Sequence, residues 1–208
     1  MNLTQKRESL KKFYKPVGLV LYKLHVPPNL ITLFSLLIGT FSALAYYYEN
    51  LILAFCFLLI SGVLDLSDGM VARLSDRTTK FGAVFDWIAD KWVDGLVLGI
   101  VGYLYAGPFI TVLVITVSML HSFIKPVVYA EIGYQVKIKG RIQDPLEEVG
   151  FFGRPETHLV LIIFTILEYL NAPIGLTFGI KLITFLTFLS LLSRILYLYK
   201  NFGTQDNE

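Results

Sequence analysis

The chain has 208 residues, of which 55% are hydrophobic and only 16% charged, with a mean hydropathy of +0.63. That is too apolar for a soluble domain of ordinary composition and points to an integral membrane protein, while a formal net charge of +2 argues against a nucleic-acid partner. The single cysteine, Cys56, lies in an apolar run, which excludes an intramolecular disulfide and leaves a small packing or lipid-facing residue.

Residues 1–25 read as a juxtamembrane amphipathic helix, with Leu3, Leu10, Phe13 and Val17 toward lipid and Lys6, Arg7, Lys11, Lys12 and Lys15 toward anionic headgroups. A removable signal is disfavoured, because Lys23 and Pro27-Pro28 interrupt the apolar run and no small-residue cleavage site follows. Residues 26–200 form a single bundle of six segments long enough, or nearly so, to cross a hydrocarbon core that needs about 20 helical residues. They lie near 29–48, 51–73, 82–106, 108–130, 156–171 and 174–200, the fifth being the shortest, and a polar tail follows at 201–208. The predicted fold is therefore an all-α integral membrane protein with six transmembrane helices and an N-terminal interfacial amphipathic helix.

The turns at 48–50, 105–108 and 171–173 carry neither Lys nor Arg, whereas the opposite connections hold Arg73, Arg77, Lys80, Lys137, Lys139, Arg141 and Arg154. This bias predicts a multi-pass protein of the cell membrane with both termini in the cytoplasm. Tyr46, Tyr47, Tyr48, Tyr103 and Tyr105 gather by the uncharged turns, as an aromatic belt at the outer interface would.

Acidic residues interrupt the second and third spans. Asp65 and Asp68 stand three apart and Asp86 and Asp90 four apart, so each pair shares a helix face. The two helices are antiparallel neighbours, and at 1.5 Å per residue all four carboxylates sit about 7 to 15 Å inside the helix ends. Holding four carboxylates there costs several kcal/mol each unless cations join them. Salt bridges from Arg73 and Lys91 supply two charges against four. Hard divalent cations suit an all-oxygen ligand set, and without His or Cys that set favours magnesium or manganese over zinc; an ion-paired or proton-carrying cluster is the alternative. Gly69, Ala72 and Gly82 allow close approach to the helix backbones, and the planar Arg73 suits phosphate oxygens. Together these features suggest a bound diphosphate, with RTTK at 77–80 adding hydroxyl and amine donors.

Asp65, Asp68, Gly69, Ala72, Arg73, Gly82, Asp86 and Asp90 follow the pattern D-x2-D-G-x2-A-R-x8-G-x3-D-x3-D, which resembles the signature of the CDP-alcohol phosphotransferase family. VPPNLITL at 26–33 is similar to that family's P-N-x-x-T entry to the first span. The resemblance implies transfer of a lipid phosphate from CDP-diacylglycerol or CDP-archaeol to an alcohol, with release of CMP, in phospholipid biosynthesis. It implies two Mg2+ ions, with Mn2+ able to substitute, held by Asp65, Asp68 and Asp86 with Asp90 beside the second. Asp90 would be the general base. Asn29, Leu30, Ile31, Thr32, Gly69, Ala72, Arg73, Thr79 and Gly82 would form the nucleotide and CDP-lipid site. The same likeness suggests a homodimer through the third and fourth spans.

The acceptor is read from the second half, where Lys125, Arg154 and Arg194 are placed to meet a phosphorylated alcohol. HSFIKPVVYAE, GRPETHL and SRIL resemble segments of the family's inositol-phosphate branch, the phosphatidylinositol-phosphate and archaetidylinositol-phosphate synthases. The likeness departs at Val127, which replaces a basic residue, at Thr157 and His158, which stand for the second arginine of R-P-E-R, and in the spacing from Lys125 to Ala130-Glu131. Inositol 1-phosphate is the leading acceptor, ahead of glycerol 3-phosphate, free serine or another inositol derivative. His25 and His121 read as packing or interfacial residues, and Glu168 and Lys181 as outer polar ones. An intramembrane prenyltransferase would repeat its aspartate motif in two distant segments; an ion transporter is the non-enzyme alternative.

Overall fold

Among the described residues, seven helices follow in chain order: α1 Arg7–Lys23, α2 Pro28–Tyr47, α3 Leu51–Leu74, α4 Lys80–Ala106, α5 Pro108–Glu131, α6 Arg154–Tyr169 and α7 Leu176–Phe202. This computed structural model describes residues 7–132, 137–138, 141–142, 146 and 149–203. Between α5 and α6 lies a small antiparallel hairpin, β1 Lys137–Ile138 and β2 Arg141–Ile142, an addition to the expected all-α fold.

Local chemistry sets the helix starts. Pro28 and Pro108 occupy first-turn positions, where a missing N–H breaks no helical bond. Asn50 Oδ1 accepts from Leu53 N at 3.2 Å to cap α3, and Thr79 Oγ1 accepts from Gly82 N at 2.9 Å to cap α4. The connections at Glu49, Asp76, Gly107 and Asn171 turn through positive φ. Of these, Gly107 at φ 82° leads directly into Pro108, so the α4–α5 turn uses the freedom of one residue and the rigidity of the next.

Helix α2 packs on α3 and α4, α4 on α5 and α7, and α6 on α3 and α7. Ser35 and Ser61 each donate to the other's carbonyl, at 2.9 and 2.8 Å, and Ser42 donates to Ala54 O at 2.8 Å. Small hydroxyl residues thus bring α2 and α3 together and satisfy their own polar atoms, as apolar surroundings require. The densest apolar core, with Tyr46, Leu58, Val97, Leu161 and Ile183, fills the bundle away from the aspartates.

By length and composition, α2, α3, α5 and α7 can each cross a membrane. The other two expected spans do not meet that test. Helix α4 is long enough but carries Lys80, Asp86, Asp90, Lys91 and Asp94, and α6 has 16 residues, about 24 Å at 1.5 Å each against a core of about 30 Å.

Helix α1 is more than an interfacial float. Tyr14 and Gly18 are buried against α3, where a Cβ on Gly18 would meet Met70 Sδ at 3.0 Å. Val17 is half-buried, while Leu3, the side chains of Lys6, Arg7, Leu10, Lys11, Lys12 and Phe13, and residues 204–208 lie outside the described residues, as does Lys139. Tyr46 departs from the expected aromatic belt: it is fully buried, with its hydroxyl 2.6 Å from Thr165 Oγ1, whereas Tyr47, Tyr48 and Tyr103 are exposed. Glu168 has a defined task, accepting from Leu176 N at 2.6 Å and so capping the start of α7.

Candidate active site

Two consecutive helices supply the acidic residues. The connection between α3 and α4 is short, so Asp65 and Asp68 near the end of α3 meet Asp86 and Asp90 near the start of α4. Asp65, Asp86 and Asp90 each present a carboxylate oxygen within 4.8 Å of the others, and all three are half-buried. Asp68 stands apart from this trio. It is buried, and its Oδ2 accepts from Thr32 Oγ1 at 2.5 Å, which ties the entry of α2 to the cluster.

Arg154, in the first turn of α6, bridges two of the three, Asp65 and Asp90. Its Nη1 donates to Asp65 Oδ2 at 2.7 Å and lies 2.6 Å from Asp90 Oδ1. No hydrogen-bond donor is directed at that Asp90 oxygen, although it is buried. Arg154, placed by the sequence reading at the acceptor phosphate with Lys125 and Arg194, thus also contacts the signature aspartates, and Lys91 pairs with Asp94.

Asp94 is the residue that the eight-position signature misses. It lies one turn beyond Asp90 on α4, is buried, and gathers three donors. Arg154 Nε and His158 Nε2 approach Oδ1 at 3.1 and 3.0 Å, and Lys91 Nζ donates to Oδ2 at 2.9 Å. The signal was present as the four-residue repeat Asp86, Asp90, Asp94, which places all three on one helical stripe.

Around the cluster, Asn29, Thr79 and Gly82 come together. A Cβ on Gly82 would lie 3.0 Å from both Asn29 Oδ1 and Thr79 Oγ1, so only glycine leaves those two polar atoms in place. The Arg73 guanidinium folds back over Gly69, where a Cβ would meet Nη1 at 3.3 Å, and Ala72 beside it is half-buried. Leu30 is exposed and Ile31 buried, so the side chains of this entry that reach the site are Asn29 and Thr32.

The remaining expected acceptor residues sit behind Arg154. Arg194 is buried, and its Nη1 donates to His121 O at 2.7 Å; His121 Nε2 in turn lies 3.0 Å from Ser190 Oγ. Lys125 is half-buried one turn further along α5. A cavity of about 20 Å³ between Lys91, Asp94, His121, Ser122, Arg154 and Thr157 is large enough for one water and too small for an alcohol substrate.

The donor set fits a divalent cation on two counts. It is all carboxylate, and three carboxylate oxygens lie within 4.8 Å of one another, as ligands of a single ion would. Asp90 Oδ1 is buried and in ion-pair contact with Arg154 but outside hydrogen-bond geometry.

The CDP-alcohol phosphatidyltransferase family model matches residues 25–201. An uncharacterised protein of Aquifex aeolicus is 37% identical over 129 residues, which cover 59% of this chain and 65% of that protein, just under two thirds of the relative's length. Archaetidylinositol phosphate synthase of Methanothermobacter thermautotrophicus is 27% identical over 201 residues, covering 95% of this chain and 94% of the relative. Phosphatidylinositol phosphate synthase of Mycobacterium tuberculosis with CDP-DAG bound shares the fold, with a TM-score of 0.73 at 20% identity over 95% of this chain and 98% of that one. The same enzyme in complex with manganese and citrate gives a TM-score of 0.74 at 21% identity, over 94% and 93% of the two chains.

Proposed function

The chain belongs to the CDP-alcohol phosphatidyltransferase family, and on that footing we propose that it transfers the phosphatidyl-type group of a CDP-linked lipid to inositol 1-phosphate, releasing CMP. The observation that carries the reading is the convergence of Asp65, Asp86 and Asp90 beside Arg154, a guanidinium next to an oxygen-only candidate metal cradle.

Asp65, Asp86 and Asp90 would hold divalent ions, two Mg2+ with Mn2+ as substitute, with Asp68 oriented toward the same site by Thr32. When bound, the ions would polarise the diphosphate and stabilise the departing CMP. Asp90 takes the proton of the acceptor's hydroxyl, a role that suits a carboxylate at the edge of the cluster. The acceptor oxygen then forms a bond to the lipid-bearing phosphorus as the bond to CMP breaks, and CMP leaves with that electron pair. Asn29, Thr79, Gly82, Gly69, Ala72 and Arg73 line the approach for the nucleotide and its diphosphate.

Arg154 serves the acceptor phosphate from the carboxylate side, because the cavity behind it has no room for an alcohol. Among the described residues, no protein group takes its Nη2 donors. Lys125 and Arg194 complete the cationic surroundings. The shallow site lets the lipid chains remain in the bilayer while the headgroup reacts. Helices α2 to α7 would then be the six spans of the cell membrane, the short α6 and the charged α4 held among the four apolar ones, with the site and both termini cytoplasmic. A homodimer would use the exposed aromatic face of α4 and α5, where Trp87 and Phe123 rings lie 6.4 Å apart.

The test is CMP release by purified protein in lipid micelles, with CDP-diacylglycerol or CDP-archaeol and a panel of inositol 1-phosphate, glycerol 3-phosphate, serine and inositol. Metal-dependent release with inositol 1-phosphate supports the proposal. Release with an unphosphorylated alcohol alone would overturn the acceptor, and no release with any of them would overturn the transferase reading.

A further inference from the structure

Arg154 is pulled two ways. Asp65 and Asp90 draw its Nη1 into the cluster that is suited to divalent cations, and Asp94 draws its Nε away along α4. An arginine wholly within the cluster would compete with metal for the same carboxylate oxygens. An arginine with no anchor would lose the fixed plane that makes a guanidinium selective for phosphate.

We propose that Asp94 is a positioning residue that holds Arg154 beside the carboxylate cluster, so that the arginine orients the acceptor without displacing the metal. Its surroundings fit that task. Asp94 is buried, it accepts from Arg154 on one oxygen and Lys91 on the other, and His158, one turn from Arg154 on α6, closes the same carboxylate from a second direction. Three donors fix the carboxylate's plane, and the carboxylate fixes the guanidinium. Lys91 also offsets part of the negative charge that Asp94 adds one turn from Asp90, so the anchor need not repel the cluster.

Glu156 supports the same geometry through the backbone. Its Oε2 accepts from Gly153 N at 2.9 Å and so sets the start of α6, where Arg154 emerges. Backbone and side chain of the arginine are therefore fixed by separate groups. The sequence change at Thr157 and His158 acquires a use here: the cation that the inositol-phosphate pattern would place at position 157 is absent, and the imidazole one residue later reaches Asp94.

The inference rests on the reading of Asp65, Asp86 and Asp90 as metal ligands, and Mn2+ binding followed by electron paramagnetic resonance tests the two separately. Asp94→Asn weakens Mn2+ binding about 3- to 10-fold, because Arg154, no longer drawn back through Nε, competes more strongly with the ion for Asp65 and Asp90. Adding Arg154→Ala to that variant restores binding to at least the wild-type level, a non-additivity that a merely structural Asp94 would not produce. Asp94→Glu keeps most of the wild-type affinity. With metal saturating, Asp94→Asn also raises the Michaelis constant of whichever alcohol supports CMP release about tenfold or more, with that of the CDP-lipid within about twofold. In the wild-type protein, Arg154 modification by phenylglyoxal, read by peptide mass spectrometry, stays within about twofold when Mn2+ is added, since Asp94 keeps its hold on Nε after the ion takes Asp65 and Asp90 from Nη1.

A double variant as weak as Asp94→Asn alone, or a large rise in Arg154 modification on adding Mn2+ to the wild type, would overturn the positioning role and leave the metal reading intact. No Mn2+ binding by the wild type would overturn both. The wild-type modification experiment decides the matter even where Asp94→Asn does not fold.

Discussion

Replacing Arg154 by Ala separates its substrate contact from its protein contacts. In the structure Nε is committed to Asp94 and Nη1 to Asp65, which leaves the Nη2 edge for substrate. One charge-assisted hydrogen bond from that edge to a phosphate is worth about 1.5 to 3 kcal/mol. At about 1.4 kcal/mol per decade, Arg154→Ala raises the Michaelis constant for the phosphorylated alcohol about 10- to 100-fold. The constant for the CDP-lipid changes little, because the three residues that Arg154 contacts, Asp65, Asp90 and Asp94, lie outside the proposed nucleotide segment. The same substitution lowers the thermal midpoint in detergent: removing one partner of a buried ion pair costs up to about 3 to 5 kcal/mol, reduced here because Lys91 and His158 still serve Asp94 and the arginine is partly exposed. Lysine recovers part of the acceptor binding, since one ammonium returns the charge but cannot reproduce a planar fork that reaches Asp94, Asp65 and substrate together. Steady-state CMP release with each substrate varied in turn decides the case. A variant that weakens the CDP-lipid and spares the acceptor, or full recovery by Lys, would refute this assignment.

Asp90→Asn keeps shape and size but cannot take the hydroxyl proton, so turnover falls about 10²- to 10⁴-fold while CDP-lipid binding remains; activity above about a tenth of wild type sinks the base assignment. Thr32→Val removes the 2.5 Å bond to Asp68 and leaves that buried carboxylate short of a donor, which is expected to weaken CDP-lipid and Mn2+ binding together by about tenfold. Unchanged values would detach Asp68 from the site. In a Cys56→Ala background, cysteine at Asn50 or Gly107 reacts with an impermeant thiol reagent from outside intact cells and cysteine at Thr78 does not; labelling at position 78 would place the site on the wrong side.

Helix boundaries were legible because they are set by local chemistry. Pro28, Asn50, Thr79 and Pro108 act within one turn of themselves, so each start could be read from a short window. The aspartate cluster was legible for a related reason: two antiparallel helices with a short connection leave the pairs little freedom but to meet. Tyr46 was misread because its position by a turn says nothing about which way it points. Its burial depends on Thr165, 119 positions away, and no periodicity on α2 reveals that partner.

Asp94 and Arg154 mark the boundary more sharply. Asp94 shares the stripe of Asp86 and Asp90, and helical spacing alone would extend the metal set to include it. What removes it from that set is the arrival of α6, which brings Arg154 and His158 against it from 60 and 64 positions away. Periodicity can therefore say that three carboxylates share one face of α4, but tertiary contact decides which of them are left for metal and which is consumed by a cation. The depth of each along the helix makes that division physical. Asp86 and Asp90 meet Asp65 across the α3–α4 pair, while one further turn carries Asp94 past Asp65 and into reach of the first two turns of α6. A site of this kind needs its anions in two populations, and a rise of about 6 Å along one helix is enough to separate them.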